Sequence, residues 1–306
     1  MFQIKAKVIK NIEVTKNYYK IALSSSRIAQ AAKPGQFLQV RVADNYEPLL
    51  RRPFSIHRVG YRLSVIGYRP QTAKPGKPNT IEILYEVVGK GTQILSQKKR
   101  GEYLDIIGPL GNGFNLEPCA LDHVPILVAG GMGVAPLIFL ADKLAQGTRH
   151  KAQAKRLVLI GAKTKGHIFC EKEFQRLGCE VKIATDDGSR GFKGKVSDLL
   201  RKILVAGHRA QGTGLKIKRL APCALYHEPV LYACGPRPML KEISRISKEY
   251  KIPAQISLEE HLACGIGACL GCVVKTHSAQ RTAHSAFEYK RVCKEGPVFD
   301  AEEIVW

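Results

Sequence analysis

The sequence predicts a multi-domain β plus α/β chain. An N-terminal antiparallel β-barrel covers residues 1–118, a parallel-sheet α/β domain covers 119–250, and a small C-terminal domain covers 251–306. Three observations predict this. Short alternating apolar runs, separated by Gly/Pro turns, fill the first third of the chain. From Val124 onward, wholly apolar runs alternate with helical patterns, the signature of a parallel sheet covered by helices. Near the carboxyl end, four cysteines fall at a spacing used to ligate metal.

In the first domain the expected strands are Gln3–Val8, Tyr19–Leu23, Gln36–Val42, Leu63–Val65, Thr80–Val88 and Tyr103–Ile107. Turns are signalled at Lys33–Gly35, Ala73–Asn79 and Gly108–Gly113. Among these strands sits Arg51-Arg52-Pro53-Phe54-Ser55. A diphosphate needs a fixed cation and nearby donors, and the guanidinium fork matches phosphate oxygens. Phe54 and Tyr85 are candidates to lie beside an isoalloxazine ring. Gly89-Lys90-Gly91-Thr92 reads as a turn able to present amides to a phosphate. Taken alone, Arg-Pro-Phe-Ser is a weak signal whose default reading is an edge strand with surface arginines.

The second domain opens with the apolar run Val124–Ala129, a buried strand, followed by Gly130-Gly131-Met132-Gly133 and a helical pattern over Leu137–Leu144. A strand, a glycine turn and a helix form the Rossmann-like arrangement, in which helix N-terminal amides hold phosphates. Pro136 stands where the fingerprint has its third glycine, and a structural turn is the competing reading. Further strands are expected at Arg156–Ala162, Val181–Thr185 and Val230–Cys234, with helices at Glu171–Leu177, Lys195–Leu204 and Pro238–Lys248. Asp187 and the pair Cys234-Gly235 follow strand ends, where open α/β sheets bind ligands. Their plainer readings are a polar turn and a strand-ending turn with a buried thiol.

Cys264-x4-Cys269-x2-Cys272 with a distant Cys293 is the plant-type spacing of a [2Fe–2S] cluster. Two irons need four converging thiolates, and Gly265, Gly267 and Gly271 let the backbone wrap close to the sulfurs. A four-cysteine zinc site more often draws its ligands as two close pairs. A Rieske centre needs two histidine ligands, and His261 and His277 do not pair with cysteines in that pattern. Residues His277–His284 read as a loop. Cys119, Cys170, Cys179 and Cys223 show no ligand spacing.

The net charge of +22 raises nucleic-acid binding as an alternative, but the lysines are spread along the whole chain, so no nucleic-acid partner is expected. The densest acid-free window, Leu199–His227, reads as a solvated basic loop. No apolar run reaches the length of a membrane span, and the N-terminal residues lack a signal peptide's core. These features predict a cytoplasmic protein whose cysteines serve metal ligation rather than disulfides.

RRPFSI, ILYEVVGKGT, GPLGNGF, LVAGGMGVAPL, TDDGS, YACGPRPML, SLEEHLACGIGACLGC and YKRVCKEGPVFDAEEI occur in this order across nearly the whole chain. In this the sequence resembles the electron-transfer subunits of class 1B dihydroorotate dehydrogenase, within the ferredoxin–NADP reductase superfamily. The resemblance implies an FAD domain, an NAD domain and a C-terminal [2Fe–2S] domain. It implies FAD contacts from Arg52, Pro53, Phe54 and Ser55, from Leu84, Tyr85 and Glu86, and from Gly91 and Thr92. It implies cluster ligands at Cys264, Cys269, Cys272 and Cys293. The expected NAD contacts are Gly130, Gly131, Gly133, Asp187, Cys234 and Gly235. It also implies an FMN-containing catalytic partner in an α2β2 heterotetramer serving pyrimidine biosynthesis. No catalytic acid or base is expected on this chain, because dihydroorotate oxidation belongs to that partner. A stand-alone NAD(P)H-dependent reductase for ferredoxin or a monooxygenase would use the same modules. Two departures stand out: Glu86 occupies a position where a basic residue is expected, and Leu199–His227 and part of Thr276–Tyr289 look like insertions.

Overall fold

The computed structural model describes residues 1–60, 78–120, 124–147, 156–212, 229–282 and 285–306. The expected strand Leu63–Val65, Cys223 and the later part of the basic stretch lie outside these residues. Two compact units emerge. One holds Met1–Gly113, Glu260–Val273 and Lys290–Pro297; the other holds Phe114–Glu259, Val274–Tyr289 and Val298–Trp306.

The first unit is built on β1 (Phe2–Thr15), β2 (Tyr18–Ser24), α1 (Ser26–Ala31), β3 (Phe37–Arg41), β4 (Arg52–Ser55), β5 (Arg58–Gly60), β6 (Thr80–Glu86), α2 (Lys90–Ser96) and β7 (Tyr103–Leu110). Its strands form one antiparallel sheet in the order β4-β3-β7-β1-β2-β6-β5. β4 lies at one edge and β6 beside the other, yet the Phe54 and Tyr85 rings stand 5.6 Å apart. The sheet is therefore curled on itself, as a barrel requires. Ile21, Leu23, Leu38, Val40, Ile81, Ile83, Leu104 and Ile106 fill its core. β1 runs further than its apolar pattern suggests, because Asn11–Thr15 pair with β2. The expected turn Gly89–Thr92 is instead the start of α2. Thr92 Oγ1 accepts the Val88 and Gly89 amides at 2.9 and 3.2 Å, which supplies partners for backbone groups a helix start leaves open.

The second unit opens with the short α3 (Glu117–Ala120), then β8 (Val124–Gly130), α4 (Val134–Gly147), β9 (Leu157–Ala162), α5 (Glu171–Arg176), β10 (Glu180–Thr185), β11 (Phe192–Lys193), α6 (Val196–Gly212), β12 (Pro229–Cys234), α7 (Arg237–Tyr250) and β13 (Ala254–Ser257). The hairpin β14 (Val273–Thr282) and β15 (Ser285–Arg291) and the strand β16 (Val298–Asp300) follow. The main sheet has the order β11-β10-β9-β8-β12-β13-β16, parallel except for its last pair. Every residue of β8 is buried, as a central strand covered on both faces must be. Pro136 falls in the first turn of α4, where its missing N–H costs no helical bond.

Two expectations are corrected here. The helix expected at Lys195–Leu204 forms as α6 but runs on to Gly212, so the described part of the basic stretch is not a solvated loop; Leu199, Leu200, Ile203 and Leu204 give the helix a buried stripe. Residues His277–Thr282 belong to β14 rather than to a loop. Among the described residues no helix is long and apolar enough to cross a membrane.

Candidate functional sites

The loop 264–272 folds as its glycines demand. Gly265 and Gly267 take positive φ (+69° and +86°), and Leu270 joins them at +59°. Gly271 does not; a Cβ there would stand 3.5 Å from Cys269 Sγ. The wrapped backbone turns amides onto sulfur. Cys264 Sγ accepts the Ala268 and Cys269 N–H groups at 3.3 and 3.4 Å. Cys269 Sγ accepts the Gly271 N–H at 3.4 Å, and Cys272 Sγ accepts that of Cys293, also at 3.4 Å. Cys264 is hydrogen-bonded to Cys269, and Cys293 to Cys272. All four thiols are free.

Two of these thiols are driven in opposite directions. At Cys264 burial works against ionisation, but the amides of Ile266, Cys269 and Ala268 outweigh it and bring the thiol down to about 6. Cys293 is pushed up to about 12, first by burial and then by the adjacent Cys272. One sulfur set with amide donors around it is the environment of a ligated thiolate. The donor chemistry therefore fits an iron–sulfur cluster.

Residues that the cysteine pattern does not reveal hold this loop in place. Arg291 donates from Nη1 to Gly267 O at 2.8 Å and pairs through Nε and Nη2 with the Glu295 carboxylate. The Asn112 amide donates to Gly296 O, and its Nδ2 donates to Glu295 O at 2.9 Å. GPLGNGF thus meets the Glu295–Gly296 turn within the same unit. A signal was present for Arg291: a basic residue two positions before Cys293, a candidate ligand.

On the same unit, β4 carries Arg52, Pro53, Phe54 and Ser55, all half-buried, and β6 carries Leu84, Tyr85 and Glu86. Tyr85 is buried between Phe54 and Tyr19, whose ring stacks on it at 5.7 Å, and its hydroxyl donates to Asn11 Oδ1 at 3.2 Å. Burial raises the Tyr85 phenol, so it stays a neutral donor. Gly91 lies under the Arg52 side chain; a Cβ there would be 2.7 Å from Nε. The structure therefore brings Arg52, Gly91 and Thr92 together, with Phe54 and Tyr85 alongside. Glu86 turns elsewhere: its carboxylate is hydrogen-bonded to the Tyr18 hydroxyl.

On the second unit, Gly130, Gly133 and Gly235 converge where β8 and β12 end. A Cβ on Gly133 would overlap the Cys234 carbonyl and stand 2.8 Å from Gly235 N. One on Gly130 would be 2.7 Å from Met239 Sδ, and one on Gly235 2.9 Å from Gly130 N. These three glycines serve close backbone packing. Gly131 differs: it takes φ +53° with open space beside it. Asp187 is exposed past the end of β10 and accepts the Ser189 amide and hydroxyl at 2.9 and 2.7 Å, which hold its carboxyl below the usual range. The Cys234 thiol is raised by burial and by Glu259, against a hydrogen bond with Ser257. Glu259 is exposed, and partial desolvation by its neighbours raises its carboxyl. Ser257 is missed by sequence reasoning, since only the β12–β13 pairing brings it beside Cys234; Glu259 follows two residues on.

Residues 259–305 match the family described as the iron–sulfur cluster binding domain of dihydroorotate dehydrogenase B, and residues 127–245 match the oxidoreductase NAD-binding domain. The dihydroorotate dehydrogenase B (NAD(+)) electron transfer subunit of Desulforamulus reducens is 39% identical over 301 residues, covering 98% of this chain and 97% of that protein. Its counterpart from Geobacillus kaustophilus is 36% identical over 292 residues, covering 95% and 94%. A solved NADH-dependent reduced ferredoxin–NADP oxidoreductase aligns with a TM-score of 0.71 at 25% identity, covering 99% of this chain and 90% of that one. The ferredoxin reductase of carbazole 1,9a-dioxygenase shares the fold, with a TM-score of 0.59 at 16% identity over 82% of this chain and 67% of its own. The chain belongs to the family of dihydroorotate dehydrogenase B (NAD(+)) electron transfer subunits.

Proposed function

We propose that this chain passes electrons from the FMN of a dihydroorotate-oxidising catalytic subunit, by way of a [2Fe–2S] cluster and FAD, to NAD+ in de novo pyrimidine biosynthesis. The observation that carries the reading is the set of four free thiols, hydrogen-bonded in two pairs and facing backbone amides, inside the segment that matches the iron–sulfur family. When bound, the cluster carries single electrons and the flavin converts them to the pair that NAD+ accepts.

The residues divide that labour. Cys264, Cys269, Cys272 and Cys293 hold the irons, while the amides on their sulfurs favour the more negative, reduced state. Arg52, with Gly91 and Thr92, receives the FAD diphosphate, and Pro53, Phe54, Ser55, Leu84 and Tyr85 line its ring system. Gly131, open and at positive φ, presents its amide to the NAD phosphates at the start of α4. Gly130, Gly133 and Gly235 shape that turn, and Asp187 and Cys234 flank it at neighbouring strand ends. The chain works in the cytoplasm with its catalytic partner, as an α2β2 heterotetramer. The isolated chain is expected to reduce dyes with NADH and to leave dihydroorotate untouched. Oxidation of dihydroorotate by this chain alone would overturn the division of labour.

A further inference from the structure

Gln39 lies in the middle of β3, where a glutamine is ordinarily a surface residue, yet it has no solvent exposure. Both polar atoms of its side chain, Nε2 and Oε1, are buried without a hydrogen-bond partner. A buried carboxamide left this way forfeits its hydrogen bonds to water, so such groups almost always have a partner. The side chain is covered by the cluster loop. A Cβ on Gly265 would stand 2.6 Å from Gln39 Cγ and 2.7 Å from Cδ, and it would overlap Nε2. The amide end therefore rests against the residue that follows the ligand Cys264. Along the backbone, Gln39 is paired with Pro53 of the Arg-Pro-Phe-Ser strand. It thus touches the cluster loop with its side chain and the flavin strand with its backbone.

We propose that Gln39 is a positioning and potential-setting residue for the iron–sulfur centre, its Nε2 donating a hydrogen bond to the cluster's sulfur framework on the Cys264 side. This rests on the cluster reading above and deepens it. The partner chemistry follows from charge. A [2Fe–2S] centre with four thiolates is anionic and rich in sulfur acceptors, and the Gln39 amide supplies two N–H donors. Gly265 is required for a second reason besides its positive φ: any side chain there would displace the amide from the loop.

A donor to cluster sulfur stabilises the reduced, more negative form. Gln39→Leu and Gln39→Met each remove the N–H donors. Each is expected to lower the equilibrium constant for cluster reduction about tenfold, a 59 mV fall for a one-electron couple, with the flavin potential unchanged. EPR-monitored redox titration of the intact complex reads this. Wild-type protein labelled with 15N in its glutamine side chains provides the second measurement, which needs no variant to fold. Pulsed EPR of the reduced cluster should show a 15N coupling. An unchanged cluster potential in variants that retain their irons, a shift confined to the flavin, or an absent 15N coupling would each overturn the proposal. The wild-type EPR signal tests the cluster reading separately, so its failure is distinguishable from that of Gln39's role.

Discussion

Gly133 and Cys234 meet backbone to backbone, with no room for a Cβ between the glycine and the Cys234 carbonyl. The contact joins the turn after β8 to the end of β12, two parallel neighbours whose register runs from Val124–Pro229 to Ala129–Cys234. Gly133→Ala is therefore expected to destabilise the unit by about 1–3 kcal/mol, as overpacking does. Gly131→Ala meets no neighbour and costs only the left-handed conformation, about 1–2 kcal/mol. Thermal unfolding of both variants, with NADH affinity measured beside it, separates packing from binding. The Gly131 variant should lose affinity out of proportion to stability.

The Arg52 guanidinium crosses the Gly91 backbone, with Nη1 donating to Leu50 O at 2.7 Å. If it also receives a diphosphate, Arg52→Ala removes a charge-assisted hydrogen bond worth about 1.5–3 kcal/mol. FAD retention should then weaken about 10- to 100-fold. Flavin fluorescence on dilution measures it. Retention equal to wild type would remove Arg52 from the site.

Arg201 on α6 reaches both Glu242 and Glu249 on α7, at 3.0 and 2.7 Å. Arg245 first, with Arg201 second, holds the Glu242 carboxyl below its ordinary range. A depressed carboxylate stabilises the fold above its unfolded pKa, and that contribution is lost as pH falls through the folded value. Glu242→Gln should cost less than about 1 kcal/mol at neutral pH, because the network is partly exposed. The difference from wild type should vanish as pH falls below the usual carboxylate range. Urea unfolding at a series of pH values tests this, and a difference that persists in acid would contradict it.

The free thiols make opposite predictions under the same substitution. Cys269→Ser replaces a proposed ligand and should abolish the cluster's visible bands. Cys234→Ser touches a buried thiol on the other unit and should leave the iron content unchanged. Iron assays of the two purified variants decide.

Much of this was legible in the residues, for physical reasons. β8 announces itself because a strand covered on both faces has to be apolar throughout, and the cluster motif does so because thiolates at that spacing have few other uses. The burial of Gln39 was not legible. A glutamine between Leu38 and Val40 reads as an outward-facing strand residue, and what covers it is Gly265, far along the chain. Ser257 was hidden likewise, since only strand pairing brings it beside Cys234. The helix α6 was legible as far as Leu204, but its run on to Gly212 was not. Arg201 and Lys202 sit between buried leucines, and the apolar stripe shows only when they are read at helical period.

The central claim is that Cys264, Cys269, Cys272 and Cys293 hold a two-iron cluster on a flavoprotein. The direct measurement is the iron, sulfide, zinc and flavin content of anaerobically purified chain, taken together with its visible and EPR spectra. The account predicts two irons, two sulfides and one FAD per chain, with a reduced-cluster EPR signal. Zinc in place of iron, or colourless protein with no such signal after reconstitution, would contradict it.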